Sequence, residues 1–106
     1  MRVLLDECVP KRLRTELTAH AVRMVAEMGW SGIKNVQLLQ RAAAEFDGFL
    51  TVDRNLQFQQ RIESLPLAVL VIQAVDNRLE TLRPLMGAAK EALASIGRGD
   101  LKVIGG

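Results

Sequence analysis

The first ten residues, MRVLLDECVP, confine this chain to a narrow set of folds. Val3, Leu4 and Leu5 form an apolar run too short for a helix, and such a run suits a strand buried on both faces of a parallel sheet. Two acids, Asp6 and Glu7, follow at once. Pro10 then suits the first turn of a helix, where its missing N–H costs nothing and its fixed φ is already helical. A strand that ends in acids and runs into a helix puts those acids at the carboxyl edge of an α/β sheet, where such folds hold their sites.

The rest of the chain repeats this alternation. Leu13 and Leu17, four residues apart among charged neighbours, predict a short amphipathic helix over residues 10–18. Residues 21–25 read as a second strand, and residues 27–34, with Gly29, Trp30, Ser31 and Gly32, read as a loop. Asn35 can cap the next helix, in which Val36, Leu39, Ala43 and Phe46 recur at helical spacing and after which Gly48 is a stop. Residues 49–52 are a third strand that ends in Asp53, and Phe58 and Ile62 suggest a short helix ended by Pro66. Residues 67–72, the most apolar run, predict a central strand.

Leu79, Leu82, Met86, Ala89, Leu93 and Ile96 make the longest helical stripe, closed by Gly97 and interrupted by Pro84, so a kink or a helix start later than Asn77 is expected. Residues 101–104 are a last strand. The alternation implies one domain over residues 1–106, with a mainly parallel sheet of about five strands, helices on both faces and right-handed crossovers.

With 49% hydrophobic and 25% charged residues, the composition is that of a globular chain. The 14 Lys and Arg against 12 Asp and Glu leave a net charge of +2, which permits a nucleic-acid partner without requiring one. Cys8 is the single cysteine, which excludes an internal disulfide framework and suits a reducing compartment. Neither a signal-peptide pattern nor an unbroken apolar span is present, so a cytoplasmic protein without a membrane partner is expected.

Two strands, the first and the third, end in aspartate, and Asp6 and Asp53 can converge on one crevice at the sheet edge. Close carboxylates repel, which a shared proton or a bound cation relieves. Mg²⁺ or Mn²⁺ suits such oxygens and can activate a water against a phosphate.

The segments LLDECVP (residues 4–10), GIKN followed by LL (residues 32–39) and FLTVDRNLQFQQ (residues 49–60) resemble a small PIN-like family. That family is related to the PIN-domain ribonucleases, among them the VapC-type toxins of toxin–antitoxin pairs. The resemblance spans essentially the whole chain. It implies a three-layer α/β/α sandwich and Mg²⁺- or Mn²⁺-dependent cleavage of RNA, with an antitoxin and a second copy of the chain as partners. Asp6 and Asp53 match the family's metal-binding acids, and Glu7 and Asn35 match positions that would complete the shell or orient water. Asn35 and Asn55 stand where relatives often carry acids, so a metal would be held more weakly than by four carboxylates.

Each residue also has a plain structural reading. Asp6, Asn35, Asp53 and Asn55 can be helix caps, Glu7 a solvated acid, Cys8 a small buried hydrophobe and His20 a turn residue. Lys11, Arg12, Lys34 and Arg54, with Arg14 and Arg61, can form a basic rim for phosphates or simply solvate amphipathic surfaces. Trp30 can stack on a base, or pack on the sheet edge or a partner. Two rivals to a nuclease remain. One is a catalytically degenerate binding module on the same fold. The other is a receiver-like phosphoacceptor domain with Asp53 as acceptor, which also wants a hydroxyl after the fourth strand and a Lys at the end of the fifth. Here Gln73 and Ala74 follow the fourth strand, and Lys102 lies near the start of the last.

Overall fold

A computed structural model describes residues 1–53 and 65–105. In chain order the elements are β1 (Arg2–Leu5), a 3₁₀ helix (Lys11–Glu16), β2 (Ala21–Met24), α1 (Asn35–Glu45) and β3 (Gly48–Thr51). Then come β4 (Ala68–Gln73), α2 (Leu79–Leu82), a 3₁₀ turn (Arg83–Leu85), α3 (Met86–Ser95) and β5 (Leu101–Gly105). The five strands form one sheet in the order β2-β1-β3-β4-β5, and every neighbouring pair is parallel. The helix expected around Phe58 and Ile62 lies outside the described residues.

Strand periodicity divides the core in two. Val3, Leu5, Leu50, Leu70 and Ile72 point to one face, where they meet Leu13 and Leu17 around the 3₁₀ helix and Met86, Ala89 and Leu93 of α3. Leu4, Phe49, Val69 and Val71 point to the other, against Trp30 and Leu38, Leu39 and Ala42 of α1. Burial on both faces is why the inner strands read as unbroken apolar runs, each large side chain contributing about 1.5–3 kcal/mol.

The faces also fix the hands of the connections. From β1 to β2 the chain steps one way across the sheet over the face that carries the 3₁₀ helix, and from β4 to β5 it steps the opposite way over that same face. Two such connections have opposite hands, so one of them is left-handed. The expectation of right-handed crossovers throughout is corrected here. That rule rests on strand twist feeding a regular helix, whereas here one connection is a short 3₁₀ helix and the other a broken helix.

Several local expectations also shift. Pro10 precedes the first helical residue, and the segment after it is 3₁₀: the Leu13 amide bonds the Pro10 carbonyl at 3.0 Å and the Thr15 hydroxyl draws on the Arg12 carbonyl at 2.8 Å. Asn35 opens α1 as its first residue, the cap position being held by Lys34 with no side-chain cap bond. The buried stripe of α1 runs through Leu38, Leu39, Ala42 and Phe46, leaving Val36 51% exposed. Gly48 opens β3 instead of ending α1, at a point where a Cβ would lie 3.2 Å from Met1 Sδ and 3.6 Å from the Ala68 carbonyl oxygen. Pro84 breaks the long stripe into α2, a 3₁₀ turn and α3.

Candidate functional site

β1 is followed in the chain by β2, its neighbour on one side, and β3 by β4, its neighbour on the other, so the strand order reverses where the carboxyl ends of β1 and β3 lie side by side, the place where such sheets open a crevice. A cleft of about 430 Å³ occupies that place. Asp6, Glu7 and Cys8 line it after β1, Val52 and Asp53 after β3, and Ala74, Asp76 and Asn77 after β4.

Asp6 is nearly buried, at 9% exposure, and is held from three sides. Its Oδ1 accepts the Glu7 amide at 2.9 Å. Its Oδ2 accepts the Thr51 hydroxyl at 2.6 Å and faces the Cys8 thiol at 3.6 Å. Thr51 is fully buried, and its Oγ1 in turn accepts the Asp53 amide at 3.1 Å. One hydroxyl therefore ties the end of β1 to the residue that carries the second acid. Burial, and then the charge of Asp6, push the Cys8 thiol above its ordinary pKa, so it faces Asp6 as a proton-bearing neighbour.

The walls are tied together as well. Asn77 Nδ2 donates to the Cys8 carbonyl at 3.0 Å, across 69 residues of sequence. Glu7 Oε1 accepts the Gly32 amide at 3.1 Å, and Gly32 reaches that geometry at φ +81°, a conformation that favours glycine. Asp76 Oδ1 accepts the Arg78 amide at 3.0 Å; a bond from the Thr81 side chain, then this amide, hold its carboxyl below the usual range.

Asp6, Glu7 and Asp53 thus share one cleft, as the strand-end argument expects. Lys11, Arg12 and Lys34 are exposed and are not among the residues that line it. Arg54, Asn55 and Arg61 lie outside the described residues, as does the side chain of Asn35. Arg14 is ion-paired with Glu27. Trp30 is buried edge-on against Phe46, with centroids 6.1 Å apart and the Arg41 guanidinium 6.0 Å from its ring, which leaves its ring in the core and not offered to a base. Lys102, the second residue of β5, bonds Ser95 Oγ at 3.0 Å, and β4 leads out through Gln73 and Ala74, so neither receiver feature lines the cleft.

Sequence reasoning gave no site role to Thr51, Asp76 or Asn77. The pair Asp76–Asn77 follows β4 and precedes a helix, the same signal that singled out Asp6, but it stands three residues past the strand end. Thr51 lies within the segment of residues 49–60 that carries the family resemblance, but its bond to Asp6 exists only because β1 and β3 are neighbours.

Among the described residues no group of three or more His, Cys, Asp or Glu side chains is arranged to hold a metal ion. A closed all-protein cage would need more ligands than the described residues bring together. Carboxylates of Asp6 and Asp53 on an open cleft fit the other mode, a hydrated Mg²⁺ or Mn²⁺ held by one or two carboxylates, water and a substrate phosphate.

No family model, no curated protein and no solved structure matches the chain. The site is read from its own geometry. Among the described residues, no helix is long and apolar enough to cross a membrane.

Proposed function

We propose that the chain is a Mg²⁺- or Mn²⁺-dependent ribonuclease on a PIN-like α/β/α sandwich, working at the cleft beside β1, β3 and β4. The observation that supports this reading is the presence of Asp6, Glu7, Asp53 and Asp76 in one open cleft, with no Lys or Arg among its described lining residues. An anionic lining repels a bare phosphate, and a cation between them removes the conflict. Asp6 and Asp53 would hold that cation. When bound, it supplies positive charge to the phosphodiester and lowers the pKa of water beside it.

The protein's own groups do the positioning. Thr51 keeps the Asp6 carboxylate in one orientation and the Asp53 backbone beside it. Glu7, anchored through Oε1 to Gly32, has a second carboxylate oxygen to orient the attacking water. An antitoxin or a second copy of the chain as regulatory partner belongs to the same reading.

The test is cleavage of a mixed RNA pool by the purified protein with Mn²⁺, with Mg²⁺ and with EDTA. Cleavage should require the metal and fall by about a hundredfold or more in Asp6→Asn and Asp53→Asn. Metal-independent cleavage, or full activity in either variant, removes the reading. A non-catalytic binding module is the second reading, favoured by the internal bonds on Asp6 and Asp76 and by there being no three-ligand group among the described residues. Calorimetric titration with Mn²⁺ separates the two, because a module without a site gives no heat that depends on Asp6.

A further inference from the structure

The two oxygens of Asp6 are not equivalent. Oδ2 is occupied from within the protein, by the buried Thr51 hydroxyl at 2.6 Å and the Cys8 thiol at 3.6 Å. Among the described residues Oδ1 accepts one bond, from the Glu7 amide at 2.9 Å. A carboxylate has roughly four acceptor positions, so the open one lies on Oδ1. The direction of the Thr51 bond is also set. Because the Asp53 amide donates to Thr51 Oγ1, the hydroxyl proton is committed to Asp6.

We infer that Thr51 is a positioning residue that restricts Asp6 to one-oxygen ligation and so sets the preference of the cleft for Mg²⁺ and Mn²⁺ over Ca²⁺. The inference rests on the proposed function and deepens it. Ca²⁺ takes six to eight oxygens and often both oxygens of a carboxylate, whereas Mg²⁺ demands a tight octahedron and accepts single carboxylate oxygens among waters. Two-oxygen ligation would require Oδ2 to leave a buried hydroxyl whose other partner among the described residues is the Cys8 sulfur at 3.6 Å, a weak acceptor. The Asp6 backbone is anchored, its amide bonded to the Leu50 carbonyl at 3.0 Å and its carbonyl to the Val9 amide at 3.0 Å, so the carboxylate can turn only by side-chain rotation that breaks the Thr51 bond. Selectivity is thus carried by a residue that would not touch the ion.

The experiment is calorimetric titration of Mg²⁺, Mn²⁺ and Ca²⁺ into the full chain and its Asp6→Asn, Thr51→Ser and Thr51→Val variants. The wild type should bind Mn²⁺ more tightly than Ca²⁺, and Thr51→Ser, which keeps the hydroxyl, should preserve the ratio. Thr51→Val should shift the ratio toward Ca²⁺ by about tenfold, the scale of one charge-assisted hydrogen bond. An unshifted ratio in Thr51→Val overturns the role of Thr51 while leaving an Asp6-dependent metal site standing. Absence of Asp6-dependent Mn²⁺ binding in the wild type overturns the metal reading and this inference together. Should Thr51→Val fail to fold by circular dichroism, the wild type decides alone: Ca²⁺ binding as tight as Mn²⁺ binding overturns the inference, and a clear Mn²⁺ preference kept in Thr51→Ser supports it.

Discussion

Cys8 reports on the state of the cleft because its thiol is raised by burial first and by Asp6 second. The folded protein therefore binds the thiol proton more tightly than the unfolded chain does. Below the ordinary thiol value both states are protonated and the group is neutral in the balance; above it, stability falls as pH rises toward the folded value. Alkylation of Cys8 by iodoacetamide at neutral pH should be slow in the native protein, faster in Asp6→Asn, where the neighbouring charge is gone, and fastest in urea. Equal rates in all three would show that neither burial nor Asp6 protects it. Gly32 makes a separate test. A Cβ there meets nothing within 4 Å, so Gly32→Ala carries only the strain of a positive φ, about 1–2 kcal/mol by urea denaturation. The Glu7–Gly32 contact was not readable beforehand, since the two residues are 25 positions apart and meet only when β1 and the loop after β2 lie side by side.

At the scale of elements, strands were legible and helix faces less so. The apolar runs at residues 3–5, 49–52 and 67–72 correspond to β1, β3 and β4 within one residue at most ends, because a strand buried on both faces has no polar side to confuse the pattern. In α1 two stripes have helical spacing, one through Val36, Leu39, Ala43 and Phe46 and one through Leu38, Leu39, Ala42 and Phe46. The second faces the sheet, since it sets Leu38 and Leu39 together against the core that holds Phe49 and Trp30. Leu38→Ala should then cost about 2–5 kcal/mol, while Val36→Lys should stay within about 0.5 kcal/mol in the same denaturation measurement. The reverse order would mean that the helix presents its other stripe. Pro84 was legible as a break. That the break takes the form of a 3₁₀ turn between α2 and α3 depends on Leu82 and Met86 both reaching the same core.

For the whole molecule, two surface acids brace opposite edges of the sheet. Asp47 accepts the Arg2 amide at 2.8 Å and pairs with Arg98, and Glu27 accepts the Met24 amide at 2.8 Å and pairs with Arg14. In each case the backbone bond is the first cause and the Arg bond adds to it, so both carboxyls sit below their usual range. Depressed acids stabilise the fold above the ordinary carboxylate pKa and lose that contribution as pH falls through the folded value. Thermal unfolding should accordingly drop in midpoint below about pH 4, and the drop should shrink in Asp47→Asn. An unchanged acid limb in that variant would place the loss elsewhere. The sequence by itself determined that this chain builds a buried parallel sheet and that acids follow its strands, because short apolar runs and the residues that end them are local properties. Only the tertiary structure decided the strand order, the opposite hands of two connections and the union of Asp6, Thr51, Asp53 and Asp76 at one edge. The strand order brings into contact residues 43 and 69 positions apart, and no local pattern records which strand will be the neighbour of which.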